Sequence, residues 1–75
     1  MKDYRDRIII DPKVLLGKPV VKNTRIPVYM ILGLIAQEYS IKDIQVDYPD
    51  LSEKDIIGAI QFASDLTRFE EKIHV

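Results

Sequence analysis

Asp43 and Asp47 stand four residues apart, which puts both carboxylates on one helical face with the spacing of a hard-cation pair. Pairs of this kind are usually solvated surface acids, and no histidine or cysteine lies near to complete a ligand set. Cysteine is absent altogether, which removes thiolate metal sites and thiol nucleophiles. The single histidine, His74, is next to last, so neither a histidine metal cluster nor a Ser–His pair can be assembled within one chain. Gly17-Lys18 has the last glycine and the lysine of a phosphate loop, but the upstream glycine is missing and Pro19 stands where Ser or Thr is required. No catalytic residue, metal or cofactor is expected, and the chain reads as a binder rather than an enzyme.

Two sets of residues suit binding. Lys18, Lys22 and Arg25 form a basic cluster, with Arg5 and Arg7 upstream, that fits phosphate oxygens if carried on a ribbon. The plainer use of such lysines is to keep a strand edge from aggregating. Phe62, Leu66, Phe69 and Ile73 recur at i, i+4, i+7 and i+11, an apolar stripe that a small domain has few elements to cover. The stripe points to a protein interface, unless the N-terminal segment folds over it. Arg68 and Lys72 lie beside it, placed to reach acidic groups on a partner.

Seventy-five residues make a single domain, 1–75, that buries only about 60% of the surface its unfolded chain exposes. With 47% apolar residues it can build a core, but a thin one that a second copy would thicken. The longest apolar run, Val28–Ala36, is far short of the roughly 20 residues that span a bilayer. The charged segment from Met1 to Arg7 is not a secretory signal, so a cytoplasmic location without membrane contact is expected. Residues 1–37 carry seven bases against three acids, and residues 38–75 four against nine. A polyanion would be drawn to the first half and repelled by the second.

Residues 1–27 read as a β-hairpin arm. Arg7–Ile10 is β-branched and ends at Asp11-Pro12, and Val14-Leu15-Leu16 is a short turn stopped by Gly17. Pro19–Lys22 and Arg25–Val28 are extended on either side of a turn in which Asn23 suits a positive φ. Pro19 and Pro27 cannot donate ladder hydrogen bonds, which places these strands at edges or ends and leaves an edge for a second chain. A homodimer is expected on that ground.

Residues 28–75 read as a three-helix bundle. Pro27 suits a first helical turn, after which Val28, Ile31, Leu32, Ile35 and Tyr39 share one face. The opposite face is apolar too, so more than one neighbour should enclose it. Ser40-Ile41-Lys42-Asp43 and Ser52-Glu53-Lys54-Asp55 each begin a helix with a serine cap and an acid three residues on. The first runs to Tyr48 with Ile41, Ile44 and Tyr48 inward, and Pro49 ends it. The second runs from Glu53 to Lys72 with Ile56, Ile60, Ala63 and Thr67 on the core face. Gly58, costly inside a helix, implies close backbone packing there.

This is a tri-helical helix-turn-helix pattern, whose last helix would enter a DNA groove. Its early exposed positions, Glu53, Lys54, Asp55 and Gln61, set two carboxylates against phosphate. Base reading by this helix is not expected, and any DNA contact falls to the basic arm.

The run Ile10-Asp11-Pro12, the segment from Gly17 to Val28 ("GKPVVKNTRIPV"), Tyr48-Pro49-Asp50-Leu51-Ser52 and Ile57-Gly58-Ala59-Ile60 together resemble the prokaryotic domain-of-unknown-function family DUF433 over nearly the whole chain. That family usually has glycine before Thr24-Arg25, where this chain has Asn23, in keeping with a positive φ. A second departure is Gln37-Glu38-Tyr39-Ser40, where the family often has glycine before the serine-like cap. The resemblance implies a mainly α, homeodomain-like fold with a short N-terminal β-hairpin, often dimeric. It also implies a VapB-like antitoxin that binds a PIN-like ribonuclease toxin and represses its own operon by binding DNA. No catalytic residues come with it. Asp11, Lys18, Thr24 and Arg25 are the best-matched polar positions, and Thr24 and Arg25 can serve the turn as readily as a ligand. A dimeric DNA-binding regulator without a toxin, or a structural dimerisation module, are the other functions these residues allow.

Overall fold

The β-branched run that opens the chain pairs where its pattern says it should. A computed structural model describes residues 2–73, with side chains described through Arg68. Strand β1 (Ile8–Ile9) lies antiparallel to β2 (Val20–Val21), with Ile8 opposite Val21 and Ile9 opposite Val20. Three helices follow: α1 (Val28–Ala36), α2 (Ile41–Asp47) and α3 (Glu53–Ile73). The domain is mainly helical, with the hairpin packed on the bundle.

The expected free edge on β2 is absent. On its far side Val20 bridges to Pro27, the Val21 N–H donates to the Ile26 carbonyl at 3.0 Å, and the Val28 N–H donates to Pro19 at 2.9 Å. The Lys22–Thr24 turn folds the chain back on itself, with Asn23 in the left-handed region at φ 65°. Thr24 closes it, its hydroxyl donating to Val21 O at 2.7 Å and accepting from the Ile26 N–H at 3.0 Å. Val20 and Val21 thereby become fully buried. Pro27 is the N-cap of α1 rather than its first helical residue, a position that still needs no N–H within the helix.

Both serine caps form as full reciprocal boxes. The Ser40 hydroxyl accepts from the Asp43 N–H and the Asp43 carboxylate from the Ser40 N–H. Ser52 and Asp55 repeat the exchange at the start of α3. Each box satisfies two amides that the first turn would otherwise leave unpaired.

The core gathers Val21, Val28, Ile31, Ile44, Leu51, Ile56 and Ala59, with Ile41, Tyr48 and Phe62 half-buried around it. Each fully buried Ile or Leu contributes about 1.5–3 kcal/mol of transfer free energy. The core face of α3 is rotated from the expected one. Ala59 and Phe62 turn inward, while Ile60 and Thr67 are exposed. The reason is Gly58. A Cβ at this position would run into the Tyr4 carbonyl, so the N-terminal segment lies against that side of α3 and fixes its rotation. The second face of α1, which carries Tyr29, Met30, Gly33, Leu34 and Gln37, is not enclosed either, since Tyr29 and Gln37 are exposed and Met30 and Leu34 half-exposed.

One local conformation was not expected. Leu15, Leu16 and Gly17 all have positive φ (48°, 57° and 84°), making a left-handed turn, and Leu16 is 95% exposed. The left-handed region costs a residue with a Cβ about 1–2 kcal/mol, so the turn is held by its surroundings and not by preference.

Candidate partner-binding groove

Where α1 begins and the middle of α3 passes it, an apolar groove opens. Lys18, Pro19, Val28, Tyr29, Leu32, Phe62, Ala63 and Leu66 line a hollow of about 420 Å³. The local causes are in the chain. Pro19 and Pro27 hold an extended approach to α1, which presents Val28, Tyr29 and Leu32 on one side. Phe62, Ala63 and Leu66 supply the facing wall from α3, being i, i+1 and i+4 on that helix. Lys18 sits at the rim with its ammonium 5.1 Å from the centre of the Tyr29 ring, a cation–π contact that leaves its charge at the groove mouth.

Two of the four stripe residues are therefore brought to this groove. Phe62 also packs against the core, so it is partly committed to stability, whereas Leu66 is 61% exposed. Phe69 and Ile73, and Lys72 beside them, have side chains outside the described residues. Arg68 is exposed and lies 4.0 Å from Asp65. Tyr29 belongs to the face of α1 opposite Val28 and Ile31. Its part in a binding surface shows only once α3 is seen opposite.

The basic cluster is dispersed. Lys18 belongs to the apolar groove, and Lys22 lies in a polar cleft of about 690 Å³ with Asp6, Arg7, Asn23, Thr24, Asp50 and Asp55. Arg25 faces a third hollow lined by Ile9, Val14, Asn23 and Thr24. Lys22 and Arg25 share the tip of the turn, but Lys18 does not join them. Neither Arg5 nor Arg7 adds a free cation to the patch. Arg5 is ion-paired with Asp3 and Asp65, and Arg7 with Asp55 at 3.0 Å.

Asp55 is the most enclosed of these carboxylates. Burial works against its charge, but the Ser52 N–H, Arg7 and the Ser52 hydroxyl all bond to it, and together they hold its pKa below the ordinary 3.8. It is a structural anion that ties α3 to the N-terminal segment. Asp43 is likewise held below 3.8, by the Ser40 N–H and hydroxyl of its cap. Asp43 and Asp47 share a shallow acidic hollow with Glu38 and Tyr39. Among the described residues no three metal-ligating side chains gather at one point, and no helix is long and apolar enough to cross a membrane.

Comparison with known proteins agrees with this architecture. A family model described as "Protein of unknown function (DUF433)" matches residues 8–63. The crystal structure of a DUF433 member protein from Anabaena variabilis superposes with a TM-score of 0.73 at 27% identity, covering 92% of this chain and 69% of that one. An uncharacterized protein of Archaeoglobus fulgidus is 61% identical over 23 residues, which are 31% of this chain and 64% of that protein.

Proposed function

The chain belongs to the DUF433 family, and from that premise we propose that it is a non-enzymatic binding protein whose α1/α3 groove seats a protein partner. The observation that carries this reading is the exposure of Tyr29 and Leu66, 63% and 61%, on either side of an apolar hollow. Two large apolar side chains flanking a concave apolar surface are the usual anchors of a helix-in-groove contact. The partner we infer is a PIN-like ribonuclease, which makes the chain an antitoxin of the VapB-like kind. Burial of a nuclease helix in the groove, with Lys18 at its mouth, would bring a cation toward the carboxylates on which such a nuclease depends. Co-expression with the product of the adjacent open reading frame, expected on this reading to be such a nuclease, tests it. A tagged nuclease should carry the wild-type chain through purification and lose it with Leu66→Ser.

A second reading, a dimer that binds operator DNA, draws on the exposed Lys22 and Arg25 at one turn tip. Three aspartates share the cleft with Lys22 and oppose phosphate there, so this reading rests chiefly on Arg25. The homodimer belongs to the same reading, with β1 as the remaining strand edge.

A further inference from the structure

Leu16 is a large apolar side chain that stands almost wholly in solvent, at the apex of a turn whose backbone leucine does not favour. The turn is nevertheless well fastened. The Val14 N–H donates to the Asp11 carbonyl at 2.9 Å, the Gly17 N–H to the Val14 carbonyl at 3.0 Å and the Lys18 N–H to the Leu15 carbonyl at 3.2 Å. At the base of the loop the Asp11 carboxylate accepts from the Lys13 N–H at 2.9 Å. Leu16 is therefore held out in one place, and no burial within its own chain offsets the conformation. Strain of this kind combined with an exposed leucine marks a side chain whose packing partner lies outside the fold.

An apolar hollow lies within reach of that turn. Lys18, two residues beyond Leu16, lines the α1/α3 groove, and two residues of chain span at most about 7 Å. The groove offers Tyr29 and Leu66, both largely exposed, over Phe62 and Ala63. It is apolar apart from the lysine at its rim and larger than one leucine side chain needs. A knob beside a hole on one surface is self-complementary. A two-fold axis between them sets Leu16 of each copy into the groove of the other, and both contacts close at once. A knob remote from its hole would instead chain copies head to tail. One such contact covers Leu16, Tyr29 and Leu66 together, in a chain too short to build a thick core alone.

We propose that the Leu15-Leu16 turn is a docking knob whose seat is the α1/α3 groove of a second copy of this chain. The product is a two-fold dimer in which each copy fills the other's groove. The contact is distinct from the β1 edge. It does not rest on the nuclease reading, but it regulates the same site. The groove is closed in the dimer, so a partner protein meets only the monomer, and its apparent affinity falls as the chain concentration rises. The leucine at position 16 is kept for this contact, where glycine would suit the isolated fold.

Sedimentation equilibrium of the purified full-length chain, over a concentration series from micromolar to millimolar, reads the contact with no other protein present. Its outcome is thus independent of the nuclease. The wild type should pass from monomer to dimer and stop there. Leu16→Gly, which keeps the monomer folded, should raise the dimer's dissociation constant by about 30-fold or more, because two symmetric contacts each lose an anchor. Leu66→Ser, on the seat, should act alike. The chain has no cysteine, so single Leu16→Cys and Leu66→Cys variants give a positional check. Mixed and oxidised, they should form a disulfide-linked pair in excess of that formed by either alone. A wild type that stays monomeric throughout, a dimer that Leu16→Gly leaves intact, assembly beyond the dimer, or crosslinking no greater in the mixture than in the single variants overturns the proposal.

Discussion

The carbonyl of Tyr4 sits in the space that a Cβ on residue 58 would fill. A single missing methyl group on α3 thus sets where the N-terminal segment lies and which side of α3 faces the core. In an exposed helix, Gly→Ala gains about 1 kcal/mol. Gly58→Ala should lose stability instead, because the neighbour is backbone and cannot swing aside. Gly33 on α1 has nothing within 4 Å of its would-be Cβ, so Gly33→Ala should gain about 0.5–1 kcal/mol. Opposite shifts of the urea midpoint in the two variants would confirm the contrast, whereas two stabilised proteins would refute the close approach.

Leu16 gives a second case in which a smaller residue should help. It is almost fully exposed and held at φ 57°, so its side chain contributes little burial to offset the strain. Leu16→Gly should be neutral or stabilising by up to about 1 kcal/mol, the relief of left-handed strain being set against the extra freedom of glycine in the unfolded chain. Clear destabilisation would show that the leucine is packed.

The Ser52 box ties α3 to the rest of the chain, and its acid limb can be read by pH. Asp55 has a folded pKa below its unfolded value. Its contribution is therefore present above about pH 4, the ordinary range of an aspartate, and is lost as pH falls through the lower folded pKa. The wild type should lose stability below pH 4 more steeply than Asp55→Asn, which has already forfeited that contribution. Ser52→Ala should cost about 0.5–2 kcal/mol at neutral pH. Parallel acid limbs for wild type and Asp55→Asn would contradict this.

If DNA is bound, Lys22 and Arg25 are the residues to test. Loss of two phosphate contacts should reduce the slope of log affinity against log salt by about 1.8. Lys18→Ala should leave that slope unchanged, since Lys18 stands over Tyr29 at the groove. A slope that depends on Lys18 as much as on Arg25 would restore the undivided basic patch.

Much of the fold could be read from residue order because its signals are local. Ser40 and Ser52 with acids three residues on, Pro49 after Tyr48, and Asn23 in the turn each act within a few residues. Gly58 announced a close neighbour, but not that the neighbour was Tyr4, 54 positions away. The rotation of α3 was misread for the same reason. Ile60 and Ala59 are both apolar, and only the N-terminal segment lying on one side of α3 decides which of them turns inward. At the candidate site, Phe62 and Leu66 were visible in the helical period. Tyr29 was not, and Lys18 was read into the basic cluster instead, because the groove exists only where α1, α3 and the Lys18-Pro19 approach converge. The left-handed turn at Leu15-Leu16 has no residue signal except Gly17, since leucine is an uncommon choice there.

The groove itself is tested most directly by calorimetric titration of the product of the adjacent open reading frame, which the proposed function expects to be a PIN-like nuclease, with the wild type and with a Tyr29→Ser/Leu66→Ser double variant. Both side chains are largely exposed, so each substitution should change the unfolding free energy of the variant by no more than about 0.5 kcal/mol. Its affinity should nevertheless fall by about 30-fold or more, as expected when two interface anchors worth at least 1 kcal/mol each are removed. A folded double variant that binds the nuclease as tightly as the wild type would show that the α1/α3 groove is not where the partner sits.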